Sequence, residues 1–176
     1  MGKKLLPKIE EGSQIVICSS TALRAQQTAQ EIFHALCYNF NCTLDLTYDG
    51  LCELGQGRWE GLPKDQEYKE ELKKWEERSA FDKVMLPKVF TGESYHGVGE
   101  RCKRDLQTIY NKHAGKIIFV VSHNAAMNAM RININQVELP HDHPDLPLIS
   151  YHNCDLIKLD VPSSGNIEEA CFKTNI

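Results

Sequence analysis

Two short apolar runs rich in β-branched residues, each followed at once by a helix-forming stretch, restrict this chain to few architectures. Residues 14–18 read QIVIC and precede a helical pattern over residues 22–37, and residues 116–121 read KIIFVV and precede the helical stretch AAMNAMRI. Continuous apolar strands alternating with helices are typical of parallel sheets that are covered on both faces. The pattern therefore predicts an α/β fold with three layers, in which helices pack on both faces of a mostly parallel sheet.

The remaining segments extend the same alternation. TLDLTY (43–48) predicts a second strand, residues 62–83 a charged helix with a solvated face, and the stretch from about Ser94 to His113 another helix. CDLIKLDV (154–161) predicts a last strand after a loop rich in Pro and His. A length of 176 residues with 41% hydrophobic residues is sufficient for one core, so we expect a single domain over residues 1–176.

Net charge and cysteine content limit the classes of binding partner and the cellular compartment that we expect for this protein. The net charge is −4 and the isoelectric point is about 6.0, so we expect neither nucleic acid nor an anionic membrane as a partner. Seven cysteines without any C-x-x-C spacing argue against a disulfide framework and against a structural zinc site. No apolar run approaches 18 residues, and we expect a cytoplasmic protein without a cofactor or bound metal.

Polar side chains follow both apolar runs where strands of a parallel sheet would end. Ser19, Ser20 and Thr21 follow the first run with Arg24 one turn later, and Ser122 and His123 follow the second. Ligands of open α/β sheets bind at the carboxyl ends of strands, where helix N-termini, hydroxyl groups and a guanidinium can hold phosphate. The alternative is that a hydroxyl caps the helix and Arg24 is a surface cation.

Four motifs occur in a fixed order along the chain. They are SSTALRAQQTA (19–29), LCELGQGRWEG (51–61), GES with a following arginine (Gly92, Glu93, Ser94 and Arg101), and VVSHNAAMNAM (120–130). Together they resemble the histidine phosphatase superfamily in its phosphoglycerate mutase-like branch, over nearly the whole chain from about residue 2 to residue 160. The resemblance implies a phosphoglycerate mutase-like sheet and a phosphorylated small molecule or inorganic phosphate as the ligand.

One motif of that family is not found in this sequence. Members begin with a strand ending in Arg-His-Gly, whose histidine attacks phosphorus and becomes phosphohistidine, whereas this sequence contains no Arg-His pair. MGKKLLPKI (1–9) resembles the helix that follows that strand. The resemblance thus implies that the first strand of the sheet and the nucleophile are missing from the chain.

The resemblance also assigns roles to individual residues. Arg24 matches the arginine that grips the phosphoryl oxygens, and His123 matches a second histidine that stabilises their charge. Glu53 matches the carboxylate that acts as general acid and then as base, which requires a raised pKa. Ser20 belongs to the phosphate-binding segment, and Asn124 replaces the usual glycine, where its side chain can donate a hydrogen bond to phosphate.

Several other residues allow competing interpretations. Glu53 could be an exposed loop carboxylate and His123 a buried histidine bonded to backbone. We interpret Glu60 and Trp59 as structural or rim residues. His96 is a weak candidate for a replacement nucleophile. Residues 141–143, His-Asp-His, could bind a metal but lack evident third and fourth ligands, which favours a solvated loop.

Two functions of different class remain open. The first is a phosphatase of this family whose native gene product supplies the nucleophile. We prefer a phosphatase to a mutase because the region between Glu60 and Gly92 is short. The second is a non-catalytic phospho-ligand binding or protein-interaction module on the same fold. A metal-binding protein is a weaker third reading. A missing strand would leave an open sheet edge, so we also expect rearrangement, self-association or low stability.

Overall fold

The computed structural model describes residues 9–63, 66–152 and 155–173. Its helices and strands are, in chain order, β1 (Gln14–Ser20), α1 (Leu23–Leu36), β2 (Asn41–Tyr48), α2 (Gln66–Glu76), α3 (Ala80–Met85), α4 (Tyr95–Lys112), β3 (Ile117–Val121), α5 (Asn124–Ile134), β4 (Lys158–Asp160) and β5 (Cys171–Lys173). The helix expected in residues 1–9 lies almost entirely outside the described residues.

The first three strands form a parallel sheet in the order β2-β1-β3. Successive residues of β1 point to opposite faces, and both faces are apolar. Val16 and Cys18 belong to the core formed with α4 and α5, whereas Ile15 and Ile17 pack against α1. Every residue of β1 after Gln14 is buried. The α/β class, the parallel pairing and the helices on both faces agree with the sequence prediction, with three strands in this sheet.

Two expectations about individual elements are wrong in detail. The charged segment 62–83 contains two helices rather than one, because the Ser79 hydroxyl accepts a hydrogen bond from the Asp82 N–H at 3.1 Å and so caps a new helix, α3. Of the predicted last strand, 154–161, only Lys158–Asp160 forms a strand. This strand, β4, pairs antiparallel with β5 in a separate two-stranded sheet. Cys154 lies outside the described residues.

Close packing of α4 against α5 supports the sheet on the face opposite α1. Gly99 in α4 is buried, and a Cβ atom there would overlap the side-chain amide of Asn133 and lie 2.8 Å from the carbonyl oxygen of Ala129. Gly97, two residues earlier, is exposed, and a Cβ atom would meet only the Ser94 hydroxyl at 3.4 Å. Only the glycine at position 99 therefore allows the two helices to approach this closely.

Alanine at these two glycines should have opposite effects. We expect Gly99→Ala to lower the free energy of unfolding by about 1–3 kcal/mol, because a backbone carbonyl of α5 must move to admit the methyl group. We expect Gly97→Ala to be neutral or to stabilise by up to about 1 kcal/mol through helix propensity. Urea denaturation of both variants measures the difference, and equal effects would contradict this packing.

Candidate functional site

The carboxyl ends of β1 and β3 lie side by side and bring the two predicted anion-binding segments together. Ser19 pairs with Val121 in the parallel register, so the residues that follow are neighbours. Nε2 of His123 lies 2.8 Å from the Ser20 hydroxyl, and Nη2 of Arg24 lies 3.1 Å from Nδ1 of the same ring. Ser20 and Arg24 thus form one hydrogen-bonded chain with His123, which lies 103 and 99 positions later in the sequence.

The partners of His123 define its tautomer. A guanidinium has only donors, so Nδ1 accepts from Arg24, and the ring proton lies on Nε2 and is donated to Ser20. Burial and the positive charge of Arg24 both lower the pKa of His123, while Glu53 acts in the opposite direction. The imidazole of the free protein is therefore neutral at pH 7.

Glu53 lies at the N-terminus of α5. Its Oε1 accepts from the N–H groups of Leu54 at 3.0 Å and Ala126 at 3.1 Å, and its Oε2 accepts from Ala125 at 3.4 Å. A carboxylate is stabilised at this end of a helix by the unpaired N–H groups and the helix dipole. Two N–H groups that could hold a phosphate are thus occupied by Glu53 in the free protein.

Arg101 fixes the backbone of the loop that carries Glu53. Its guanidinium forms a two-point pair with Glu93, at 2.8 Å for each bond, and also donates to the carbonyl oxygens of Gly50, Cys52 and Glu53. The Arg101 side chain is 17% exposed, so these bonds are shielded from water. The Arg101 side chain thus joins the third sequence motif, to which it belongs, to the second motif, LCELGQGRWEG.

An open cavity of about 480 Å³ lies where these segments meet. Arg24, His123 and Asn124, which the sequence analysis singles out, line it, and we call it the anion cavity. Among its other lining residues are Thr28, Tyr151 and His152. The Asn124 side chain is linked to Asn128, whose Nδ2 donates to Oδ1 of Asn124 at 3.1 Å. Ser20 is fully buried behind His123 and contacts the ring rather than the cavity.

The remaining candidates from the sequence have other surroundings. Trp59 is buried, and its Nε1 donates to Glu71 at 2.9 Å, while Glu60 accepts from the N–H of Gln56. His96 is exposed and does not line the anion cavity. The ring of His141 lies against Phe81, with ring centroids 4.3 Å apart.

Within the described ranges, one group of side chains has ligand atoms spaced closely enough for a metal. These are Cys18, Asp45 and His113, whose ligand atoms lie within 4.8 Å of one another. However, Asp45 Oδ2 already bonds to His113 at 2.6 Å, Tyr48 at 2.6 Å and Lys112 at 2.9 Å. Burial also raises the pKa of the Cys18 thiol to about 12. The group is therefore accounted for by its hydrogen bonds and the Lys112 ion pair.

Sequence reasoning missed several of these roles. Glu93 and Arg101 belong to one sequence motif, but the motif alone indicates no role for the pair, although Glu93 stands just before the cap of α4 and Arg101 lies within that helix. Tyr151 and His152 were not singled out, because the loop that carries them has no strand or helix periodicity. The Asp45–His113 contact spans 68 residues, and no local pattern indicates it.

Replacing Arg101 with lysine should destabilise the protein selectively. A lysine keeps the charge but cannot form the two-point pair and reach three carbonyl oxygens together, so we expect the free energy of unfolding to fall by about 1.5–3 kcal/mol. Arg104 is exposed on the same helix, and Arg104→Lys is the matched control with an expected change within about 0.5 kcal/mol. Thermal and urea denaturation measure both variants. Equal losses of stability in Arg101→Lys and Arg104→Lys would contradict a special role for Arg101.

Comparison with solved structures shows the same fold in several proteins. The structure matches Bacillus stearothermophilus YhfR at a TM-score of 0.70 with 20% identity, covering 99% of this chain and 77% of that chain. It matches a structure named Mycobacterial hydrolase 2 at a TM-score of 0.69 with 16% identity, covering 99% and 73%. A mutant phosphoserine phosphatase from Entamoeba histolytica, in complex with phosphoserine, matches at 0.52 with 22% identity, covering 78% and 62%.

The match to a protein family covers almost all of the sequence. A comparison with curated protein sequences found no match. Among the described residues, no helix is both long and apolar enough to cross a membrane. The family model of the histidine phosphatase superfamily (branch 1) matches residues 3–171, which include all four motifs. The chain therefore belongs to the histidine phosphatase superfamily, branch 1, and this membership implies chemistry of the phosphohydrolase type.

Proposed function

We propose that this chain is a phosphatase-type domain that binds phosphate monoesters in the anion cavity. The observation that carries the proposal is the Arg24–His123 contact at the cavity wall, in which a guanidinium and an imidazole converge from two different strand ends. Phosphoryl transfer needs positive charge and hydrogen-bond donors around the phosphoryl oxygens. Arg24 is exposed to the cavity and has further N–H donors for such oxygens.

His123 and Glu53 have complementary parts in this proposal. A bound phosphate favours the protonated imidazole, so His123 takes up a proton and both of its nitrogens become donors. Arg24 can then donate the N–H groups of its guanidinium to the bound phosphate. Glu53 interacts electrostatically with His123, and we assign to it the exchange of a proton with the leaving oxygen.

We further propose that this polypeptide binds phosphate esters but turns them over slowly. The sequence contains no Arg-His pair, and both ring nitrogens of His123 are engaged in hydrogen bonds. An attacking nitrogen needs a free lone pair, and loss of the nucleophile from a catalytic unit can cost on the order of 10⁶ in rate. The absence of an Arg-His pair and the engaged nitrogens of His123 favour the second candidate function, a non-catalytic phospho-ligand binding module on the family fold.

Anion affinity should depend on pH through His123. Because the pKa of His123 is lowered in the free protein and a bound anion raises it, binding takes up a proton and becomes tighter as pH falls through the region near 6.5 and below. Sulfate is the sharper probe, since its own charge is constant over this range. Calorimetric titration between pH 8 and 5.5 should show increasing sulfate affinity.

Two variants and one assay complete this test. His123→Gln should bind sulfate with little pH dependence, and Arg24→Ala should lose binding at every pH. Glu31→Gln, a charge change elsewhere on α1, serves as the control that keeps wild-type behaviour. Identical titrations of wild type and Arg24→Ala would refute the anion site. Steady hydrolysis of an aryl phosphate by pure protein, abolished in His123→Ala, would refute the slow-turnover proposal.

A further inference from the structure

Asn128 in α5 forms two hydrogen bonds with the backbone of one distant residue. Its Nδ2 donates to the carbonyl oxygen of Ile149 at 2.9 Å, and its Oδ1 accepts from the N–H of Ile149 at 2.8 Å. A side-chain amide has a donor end and an acceptor end, so it pairs with a peptide backbone as a neighbouring strand does. Asn128 is 3% exposed, and this two-point bond is therefore shielded from water.

A second residue of the same helix holds the same loop. Arg131, three residues after Asn128, is buried and donates from Nη2 to the carbonyl oxygen of Pro147. Burial raises the pKa of Tyr151, and the positive charge of Arg131 acts in the opposite direction, so this hydroxyl lies close to the guanidinium. The helix therefore interacts with the loop at three alternate positions, residues 147, 149 and 151.

The loop held in this way forms part of the anion cavity. Tyr151 and His152 line the cavity together with Arg24 and His123, whereas Ile149 is not among the lining residues of the described chain. The two-point bond from α5 therefore acts on the cavity through the loop rather than by contact with a ligand.

The same buried amide also orients Asn124, the first residue of α5. Nδ2 of Asn128 donates to the side-chain Oδ1 and to the carbonyl oxygen of Asn124, each at 3.1 Å. Because Oδ1 accepts from Asn128, the Nδ2 group is the end of Asn124 that can donate to an anion. One side chain thus connects a predicted phosphate-binding residue with the loop that lines the same cavity.

We propose that Asn128 is a positioning residue that holds Tyr151 beside the phosphoryl site, where Tyr151 contacts the organic group of a bound phosphate monoester. This inference rests on the proposed function, in which Arg24 and His123 hold the phosphoryl group. Those two residues meet the same oxygens in an inorganic anion and in an ester. Preference for an ester therefore requires a further side chain that contacts the organic group.

Tyr151 is the side chain that best meets this requirement. Among the lining residues of the described chain, Phe119 and Tyr151 carry phenyl rings, and Phe119 packs against the core on the α1 side. An aromatic ring offers a large apolar contact area at a small cost in conformational entropy. The position of this ring is determined by the loop, and the loop is held by Asn128 and Arg131.

Asn135 provides a matched control on the same helix. It caps the C-terminus of α5, where its Nδ2 donates to the carbonyl oxygen of Phe172 at 3.3 Å and its Oδ1 accepts from the N–H of Phe172 at 2.9 Å. Both asparagines thus form a two-point bond with a distant backbone. Asn135 is absent from the described residues that line the anion cavity, so its replacement removes such a bond away from the site.

The test measures two affinities of the whole chain by calorimetry at pH 7. Sulfate reports the anion site alone, and phenylphosphonate adds an aromatic group through a bond that is not hydrolysed. We expect Asn128→Leu, which keeps the volume but removes the hydrogen bonds, to weaken phenylphosphonate at least about threefold more than sulfate, as loss of an aromatic contact predicts. Tyr151→Ala should change this ratio by a similar factor, and Asn135→Leu should leave it at the wild-type value.

A second substitution covers the case in which Asn128→Leu does not fold. Asn128→Asp still accepts from the Ile149 N–H but loses both donors, and its charge acts on both anions alike, so the affinity ratio still reports the loop. We expect this ratio to fall as in Asn128→Leu, whereas a wild-type ratio would contradict the positioning role.

The outcomes separate this inference from the proposed function. If Arg24→Ala leaves sulfate binding unchanged, the proposed function is refuted and the inference falls with it. If sulfate binding requires Arg24 but the Asn128 or Tyr151 variants keep the wild-type ratio, the inference is refuted while the anion site stands. A ratio that falls equally in Asn135→Leu would assign the effect to a general loss of stability and would also refute the inference.

Discussion

The burial of β1 on both faces is the constraint from which the other features of this structure follow. Its alternate residues enter two separate cores, Val16 and Cys18 toward α4 and α5, and Ile15 and Ile17 toward α1. A parallel strand that is apolar on both sides requires helices on both sides, and it fixes the register of its neighbours. The register in turn places the ends of β1 and β3 together, so that Ser20 and His123 are within hydrogen-bond distance.

The site itself depends on hydrogen bonds that cross between distant motifs. Arg101 holds the loop that carries Glu53, and Glu53 holds the first N–H groups of α5. Ser122, just before His123, donates to the carbonyl oxygen of Leu51 at 2.8 Å and adds a second connection between that loop and β3. The residues around the anion cavity are thus held in place by hydrogen bonds between distant segments, and such preorganisation is what the proposed phosphate site requires.

Sequence patterns predicted the local parts of this structure well. The apolar runs at 14–18 and 116–121, the helix at 22–37 and the clustering of Arg24 with His123 at strand ends all depend on periodicity and on the rule that ligands bind at the carboxyl ends of strands. The helical pattern over residues 62–83 is continuous and does not predict the break before α3, because that break depends on a single capping residue, Ser79. The pairing of β4 with β5 depends on long-range contacts that no local periodicity records.

The residue roles were less accessible than the fold. Motif resemblance singled out Glu53, but only the geometry shows that its carboxylate lies on the N–H groups of Ala125 and Ala126. Likewise, the sequence predicts Ser20 as a phosphate-binding residue, but only the geometry shows that its hydroxyl accepts the ring proton of His123. These differences arise because a sequence motif gives residue identity and spacing, while the direction of a side chain is determined by its packing.

The ¹⁵N chemical shifts of the His123 ring test the central claim most directly, because the proposed site depends on a neutral imidazole that accepts from Arg24. At pH 7 without ligand, the account predicts the Nε2–H tautomer, with Nδ1 at the shift of an unprotonated nitrogen, and conversion toward imidazolium when sulfate is added. An Nδ1–H tautomer, or a ring whose shifts do not respond to sulfate, would contradict it.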